Sequence, residues 1–288
     1  MMVVAGSASP KLGSRLAKEL KCRLIKPEIK RFPDGELYAR LTGKVDHDHV
    51  VVVQSTCYPQ NENLIELFLI LETIKHAGAS KITAVVPYLA YARQDKLFKP
   101  GEAVSLRTIS KLIECAGADE LITVDVHEET TIKNFSIPAR NLTAMSLLGK
   151  YLARMGLKKP VVLGGDQGSE ERARKVAREM GTDHDYLKKK RITPTKVISR
   201  PKSLGVKGRD VVIIDDIIST GGTMVEATKI LRRQGARAVY AACTHGVLTG
   251  KACQKLRAAG VRKIIATDTI EKKESLVSVA PLIARSLV

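Results

Sequence analysis

The sequence predicts an α/β protein made of two tandem, doubly wound domains with mainly parallel sheets. Three observations carry this. Short β-branched runs, such as Val50–Gln54 and Val211–Ile214, end in small polar turns that lead into helices of 3.6-residue period. These runs are apolar almost without interruption, as parallel strands buried on both faces are. The third observation is an internal repeat. HVVVVQST…LIELFLILETIKHAGASKITAVVPY matches RDVVIIDD…VEATKILRRQGARAVYAACTHG in pattern. CAGADELITVDVH likewise matches AAGVRKIIATDTI, each with an acid eight residues after its glycine. Chance similarity is the alternative, since all βα units share this grammar, but two consecutive units in the same order favour duplication. The halves divide into domains 1–141 and 142–288.

In chain order, Met2–Ala5 reads as a strand and Gly6–Pro10 as a turn into a helix over Leu12–Leu20. A Pro-Asp-Gly turn precedes an alternating strand over Glu36–Leu41. Val50–Gln54 is a buried strand, followed by a polar loop and the strongly apolar helix LIELFLILETIKHAG. The strand Ile82–Pro87 leads into PYLAYARQDKLFKPGEAVS, a polar, basic insertion that its counterpart in the second half lacks. Long loops in compact domains are commonly functional, and Pro100 and Gly101 suit a hinge, so this segment is expected to act as a lid over an anionic substrate. The second half opens with the helix LTAMSLLGKYLARMG and the strand Val161–Leu163, which ends in the glycine-rich turn Gly164–Ser169 before EERARKVARE. In YLKKKRI, an extended backbone puts Leu187, Lys189 and Arg191 on one face; a phosphoryl clamp and a solvated basic hairpin are equally compatible with it.

The stretch VVIIDDIISTGGT concentrates the chemistry. A buried strand ends in Asp215 and Asp216, and the turn Ser219-Thr220-Gly221-Gly222-Thr223 opens a helix. Open α/β sheets take ligands at such strand ends, and a helix N-terminus with little side-chain bulk favours anions. Two adjacent carboxylates bind sugar hydroxyls or a hydrated Mg²⁺, so a phosphate beside a polyol is the guest this pattern suits. The alternative is an acidic strand end followed by an ordinary helix cap.

Composition narrows the class. The chain has 288 residues, 44% hydrophobic and 27% charged, as in a folded globular protein. No apolar run approaches the roughly 18 residues of a membrane span, and MMVVAGSASPKLG lacks a basic n-region and a long h-region, so no secretion signal is expected. The five cysteines (Cys22, Cys57, Cys115, Cys243 and Cys253) include no C-x-x-C, which predicts reduced thiols and a cytoplasmic location. The formal charge of +18 invites a nucleic-acid reading, but the basic residues are scattered and only 4% of residues are aromatic. An electropositive surface that attracts small polyanions is preferred, with no membrane or nucleic-acid partner expected. There is no G-x-x-x-x-G-K-[ST], so a P-loop ATPase is not supported.

VVIIDDIISTGGT matches the phosphoribosyl pyrophosphate loop of phosphoribosyltransferases and ribose-phosphate pyrophosphokinases. With RFPDGE, PYLAYARQD, DVH, GGDQG and a K-x-R in KKKR, all in order, essentially the whole chain resembles the ribose-phosphate pyrophosphokinase family. The resemblance implies two tandem phosphoribosyltransferase-like domains with the active site between them. It also implies transfer of the β,γ-diphosphoryl group of Mg-ATP to the C1 hydroxyl of ribose 5-phosphate, releasing AMP. The N-terminal domain would hold ATP and the flexible loop, and the C-terminal domain ribose 5-phosphate. Phe32 would pack on adenine, with Asp34, Gly35 and Glu36 at its polar edge, in a homo-oligomer whose ATP site is shared between subunits; a simple hairpin turn is compatible with this. Arg93 and Gln94 would contact ATP.

His127 and Asp166 are implied as Mg²⁺-linked positions, with Asp125 an outer-sphere partner. Lys189 would stabilise charge on the transferred group and Arg191 would contact substrate phosphate. Asp215 and Asp216 would bind the ribose hydroxyls, and Ser219, Thr220, Gly221, Gly222 and Thr223 the 5-phosphate. Many family members carry Asp where this chain has Ser219. The segment EETTIKNFSIPA also departs from the commoner pattern, so regulation by ADP or phosphate is not carried over. The competing readings are a phosphoribosyltransferase and a catalytically silent regulatory homologue.

Overall fold

The structure, a computed structural model, describes residues 1–45, 47–97, 99–193, 196–201 and 205–288, with the backbone alone at 129, 188–193 and 196–201. The chain forms two compact units. The first comprises residues 1–143, 269–271 and 278–288, and the second 144–268 and 272–277.

In the first unit, β1 (Met2–Ala5) leads to α1 (Pro10–Glu19), which starts on a proline where the missing N–H costs nothing. Then come β2 (Arg23–Ile25), the antiparallel hairpin of β3 (Glu28–Arg31) and β4 (Leu37–Arg40), and β5 (His49–Val53). The long helix α2 (Gln60–His76) is followed by β6 (Lys81–Val85), α3 (Ser105–Cys115), β7 (Glu120–Val124) and β8 (Ala139–Leu142). The main sheet has the order β2-β1-β5-β6-β7-β8 and is parallel throughout. Val50 to Val53 are wholly buried, and Leu67, Leu71 and Ile74 of α2 pack in one core with Val50 and Val52. Each such side chain contributes roughly 1.5–3 kcal/mol on burial.

In the second unit, α4 (Met145–Ala153), β9 (Val161–Gly164) and α5 (Glu170–Met180) precede the hairpin of β10 (Asp183–Thr193) and β11 (Lys196–Pro201). β12 (Asp210–Ile217), α6 (Gly222–Arg233), β13 (Ala238–His245), α7 (Ala252–Ala258), β14 (Val261–Thr267) and β15 (Ser275–Val277) follow. The sheet order is β11-β10-β9-β12-β13-β14-β15. Without the edge strand β11, this repeats the first unit's order strand for strand, so the two halves share one doubly wound topology, as the internal repeat predicts. The last helix, α8 (Ala280–Leu287), packs on α1 within the first unit.

This topology places each unit's switch point, where strand order reverses, between the first and third strands: β1 and β5 in one, β9 and β12 in the other. Ligand crevices of open α/β sheets lie at the C-terminal ends of such strand pairs.

Candidate active site

At the second switch point β9 and β12 run parallel, with Gly164 paired to Ile214, so the turns after both strands meet. Gly164 must be glycine: a Cβ there would lie 2.9 Å from the Ser169 backbone. At Gly165 a Cβ would stand 3.1 Å from Asp215 Oδ2, which lets the turn approach the carboxylate closely. Asp166 caps the short 3-10 turn Gln167–Ser169 reciprocally, its Oδ1 accepting from the Ser169 N–H (3.2 Å) while its own N–H donates to Ser169 Oγ (3.0 Å).

β12 delivers Asp215 and Asp216 to the same corner. Asp215 Oδ1 accepts from the Asp216 N–H (3.0 Å), and Asp216 Oδ1 from the Ile217 N–H (2.9 Å). Beyond them Ile218 and Ser219 are held by Leu248 and Thr249, whose N–H groups donate to their carbonyls at 2.8 and 3.1 Å. Gly221 then turns the chain at φ +75°, where an added Cβ would also press on Leu256 at 3.3 Å. α6 starts here with no capping side chain and no acidic residue in its first turn. Its first N–H groups lack intrahelical partners, and its dipole favours an anion. Thr220, Gly222 and Thr223 are exposed, Ser219 is half-buried and Gly221 is buried.

The corner is electrostatically loaded. Burial, then the neighbouring Asp216 and Asp166, push the Asp215 carboxyl up from 3.8 to about 7. Three carboxylates crowded together repel one another unless a cation joins them. Asp216 has one in Arg172 of α5, whose Nη2 lies 3.4 Å from its Oδ2. The sequence reading missed Arg172, which sits in an amphipathic helix and carries no motif.

The nucleotide-side candidates belong to the first unit. Phe32 to Glu36 form the tip of the β3–β4 hairpin. The Phe32 N–H donates to the Glu36 carbonyl (2.8 Å), Gly35 takes φ +101°, and Asp34 Oδ1 accepts from the Glu36 N–H (3.2 Å). Phe32 is 49% exposed and meets Tyr38 edge-on at 5.9 Å, so the hairpin presents an aromatic ring to its surroundings. Arg93 is exposed in the turn after β6. Gln94 Nε2 reaches Glu102 Oε2 (3.3 Å) and the Lys96 carbonyl (3.4 Å), spanning the base of the predicted lid segment.

The metal candidates fall in different units: exposed His127 in the first and half-buried Asp166 in the second. His127 follows buried Asp125, whose left-handed φ of +40° bends the chain after β7. Among the described residues no three His, Cys, Asp or Glu side chains could enclose a metal ion by themselves. The oxygen-rich Asp166–Asp215–Asp216 corner nevertheless fits a hard cation. Mg²⁺ is commonly held by one or two carboxylates together with substrate phosphates and water, and it prefers oxygen to a histidine nitrogen.

Lys189 and Arg191 lie on β10, opposite Ser199 and Val197 of β11, and their side chains lie outside the described residues.

A doubly wound sheet pair with an acid pair beside an open helix N-terminus at one switch point defines a phosphoribosyltransferase-type α/β protein. The comparisons are more specific. Residues 1–117 match the N-terminal domain of ribose phosphate pyrophosphokinase, and residues 135–279 match the phosphoribosyl transferase domain. The chain is 49% identical to the ribose-phosphate pyrophosphokinase of Methanopyrus kandleri, with 100% of this chain and 98% of that one covered. It is 44% identical to the ribose-phosphate pyrophosphokinase of Methanosarcina acetivorans, covering 100% and 99%. The crystal structure of phosphoribosylpyrophosphate synthetase from Mycobacterium smegmatis superposes with a TM-score of 0.86 at 32% identity, over 99% of this chain and 97% of that one. The chain belongs to the ribose-phosphate pyrophosphokinase family of enzymes.

Proposed function

We propose that this chain transfers the β,γ-diphosphoryl group of Mg-ATP to the C1 hydroxyl of ribose 5-phosphate, giving phosphoribosyl pyrophosphate and AMP. The observation that supports this most is the Asp215–Asp216 pair beside the uncapped, acid-free N-terminus of α6. The 5-phosphate accepts from the first N–H groups of α6 and the hydroxyls of Ser219, Thr220 and Thr223. The two carboxylates accept from the ribose hydroxyls and orient the ring so that the C1 hydroxyl faces the donor. Glycine at 221 and 222 keeps bulk away from the phosphate.

The domain over 1–141 is the ATP side, with Phe32 stacking on adenine, Asp34, Gly35 and Glu36 at its polar edge, and Arg93 and Gln94 on the nucleotide. The domain over 142–288 is the acceptor side. Lys189 and Arg191 supply positive charge to the transferred group. Phosphoryl transfer needs positioning and electrostatic stabilisation more than covalent chemistry, so a pair of cationic residues can serve it without a nucleophilic side chain. Mg²⁺ would supply neutralisation of phosphate charge; its candidate ligands are His127, backed by Asp125, in the first unit and Asp166 in the second.

The exposed Phe32 ring suits a homo-oligomer in which one subunit's hairpin completes another's ATP site. No helix among the described residues is long and apolar enough to cross a membrane; the proposed setting, the cytoplasm, rests on the cysteine pattern. The test is chromatographic: AMP should form from ATP, Mg²⁺ and ribose 5-phosphate with no base or amine present. A phosphoribosyltransferase would give none, and neither would a silent regulatory homologue.

A further inference from the structure

The first unit repeats the second's topology, so its own switch point, between β1 and β5, is a second potential ligand crevice. Its occupant is visible in the structure. Glu66 of α2 is 3% exposed, and its carboxylate turns onto the β1–α1 loop. Oε1 accepts from the Ser7 N–H (2.6 Å), and Oε2 accepts from the Ser7 hydroxyl. The next N–H, of Ala8, donates to Gln54 Oε1 (3.0 Å). Successive backbone N–H groups of this kind form an anion-binding concavity, and here two side-chain oxygens of the same unit fill it.

The helix ends fix how this corner corresponds to the other. α2 and α6 close identically: the Gly78 and Gly235 N–H groups each donate at 3.1 Å to the carbonyl three residues back, at φ +84° and +87°. Counting back twelve residues from each glycine reaches Glu66 in α2 and Thr223 in α6. Strand pairing supplies the other equivalences. Ala5 pairs with Val53 and Gly164 with Ile214, so Ser7 matches Asp166 and Gln54 matches Asp215. The glycines agree: a Cβ at Gly6 would strike Gln54 Oε1, just as one at Gly165 would touch Asp215 Oδ2. Finally, α2 begins at Gln60, six residues before Glu66, whereas α6 begins one residue before Thr223. The added turn consumes the N–H groups that α6 leaves open.

We infer that Glu66 is a built-in anion closing the first unit's copy of the crevice, so that the chain accepts its phosphorylated sugar in the second unit alone. The comparison with Thr223 rests on the function proposed above; the closure itself rests on the geometry of Glu66, Ser7 and Gln54. Vacating the position should convert a closed crevice into a site for a small oxyanion.

The test is rescue of the full-length chain without substrate or metal. Glu66→Ala should lower the thermal midpoint by roughly 2–10 °C, the cost of buried donors left without acceptors. Sodium formate should restore much of that loss, beyond its effect on the parent and beyond sodium chloride at equal ionic strength. Glu66→Thr, which installs the residue type of the second unit, should respond in the same way to inorganic phosphate. If Glu66→Ala is recovered unfolded, the comparison is made on refolding yield with and without formate. Variants that respond to these anions no more than the parent would overturn the inference. Because stability is the readout, failure here is distinct from failure to form AMP.

Discussion

Asp215→Asn should make the substrate-free protein more stable at pH 8 while abolishing turnover. In the folded state the Asp215 carboxyl titrates at about 7, against 3.8 when unfolded, chiefly because burial disfavours its charge and secondarily because Asp216 and Asp166 repel it. The folded state therefore holds this proton more tightly. Its stabilising effect is fully present below pH 3.8 and is lost as pH rises through about 7. At 1.36 kcal/mol per pH unit that interval has a ceiling of about 4 kcal/mol, and solvent reaching the half-buried group brings the expected penalty at pH 8 to about 2 kcal/mol. Asparagine keeps an oxygen for the Asp216 N–H, which donates to Asp215 Oδ1 at 3.0 Å, and removes the charge. Urea denaturation in EDTA, at pH 5 and pH 8, measures the effect. The variant should gain over the parent at pH 8 and lose most of that gain at pH 5. An Asn variant less stable than the parent at pH 8 would refute the electrostatic reasoning.

Gly221→Ala forces a side chain into φ +75° and against Leu256, so it should cost about 1–2 kcal/mol of stability and raise the KM for ribose 5-phosphate more than that for ATP; equal effects on both would detach this turn from the acceptor. Lys189→Ala should lower kcat by at least about 10²-fold with little change in ribose 5-phosphate affinity, because its charge acts on the transition state; near-normal kcat would remove it from the mechanism. Phe32→Ala should raise the KM for ATP several-fold while leaving the thermal midpoint within about 2 °C, since the ring is half exposed and its loss opens no core cavity; a large stability loss would make the ring structural.

Local chemistry made much of the fold legible. β5 and β12 are announced by unbroken β-branched runs, and the meeting of acid pair and open helix start by two acids followed by small turn residues, because each feature is written within a dozen consecutive residues. The repeat was legible for the same reason: matching glycines close matching helices at positive φ. What escaped is carried by contacts distant in sequence. Arg172 reads as one of several cations on an amphipathic helix, and only the sheet brings it to Asp216. Glu66 reads as an ordinary acid in an apolar helix, and its meaning appears only when α2 is laid beside α6. Glu271 accepts from the N–H groups of Lys11 and Leu12 at the start of α1, about as far apart in the sequence as the chain allows. The packing of α8 on α1 likewise leaves no mark in any local pattern.

The central claim is that the acceptor corner takes a diphosphoryl group at C1 of the sugar. Phosphorus NMR of one mixture of ATP, Mg²⁺ and ribose 5-phosphate tests it by identifying which phosphoanhydride bond breaks. AMP should appear together with a new pair of coupled diphosphate resonances on the sugar. ADP together with a sugar bisphosphate, or an unchanged spectrum, would contradict it.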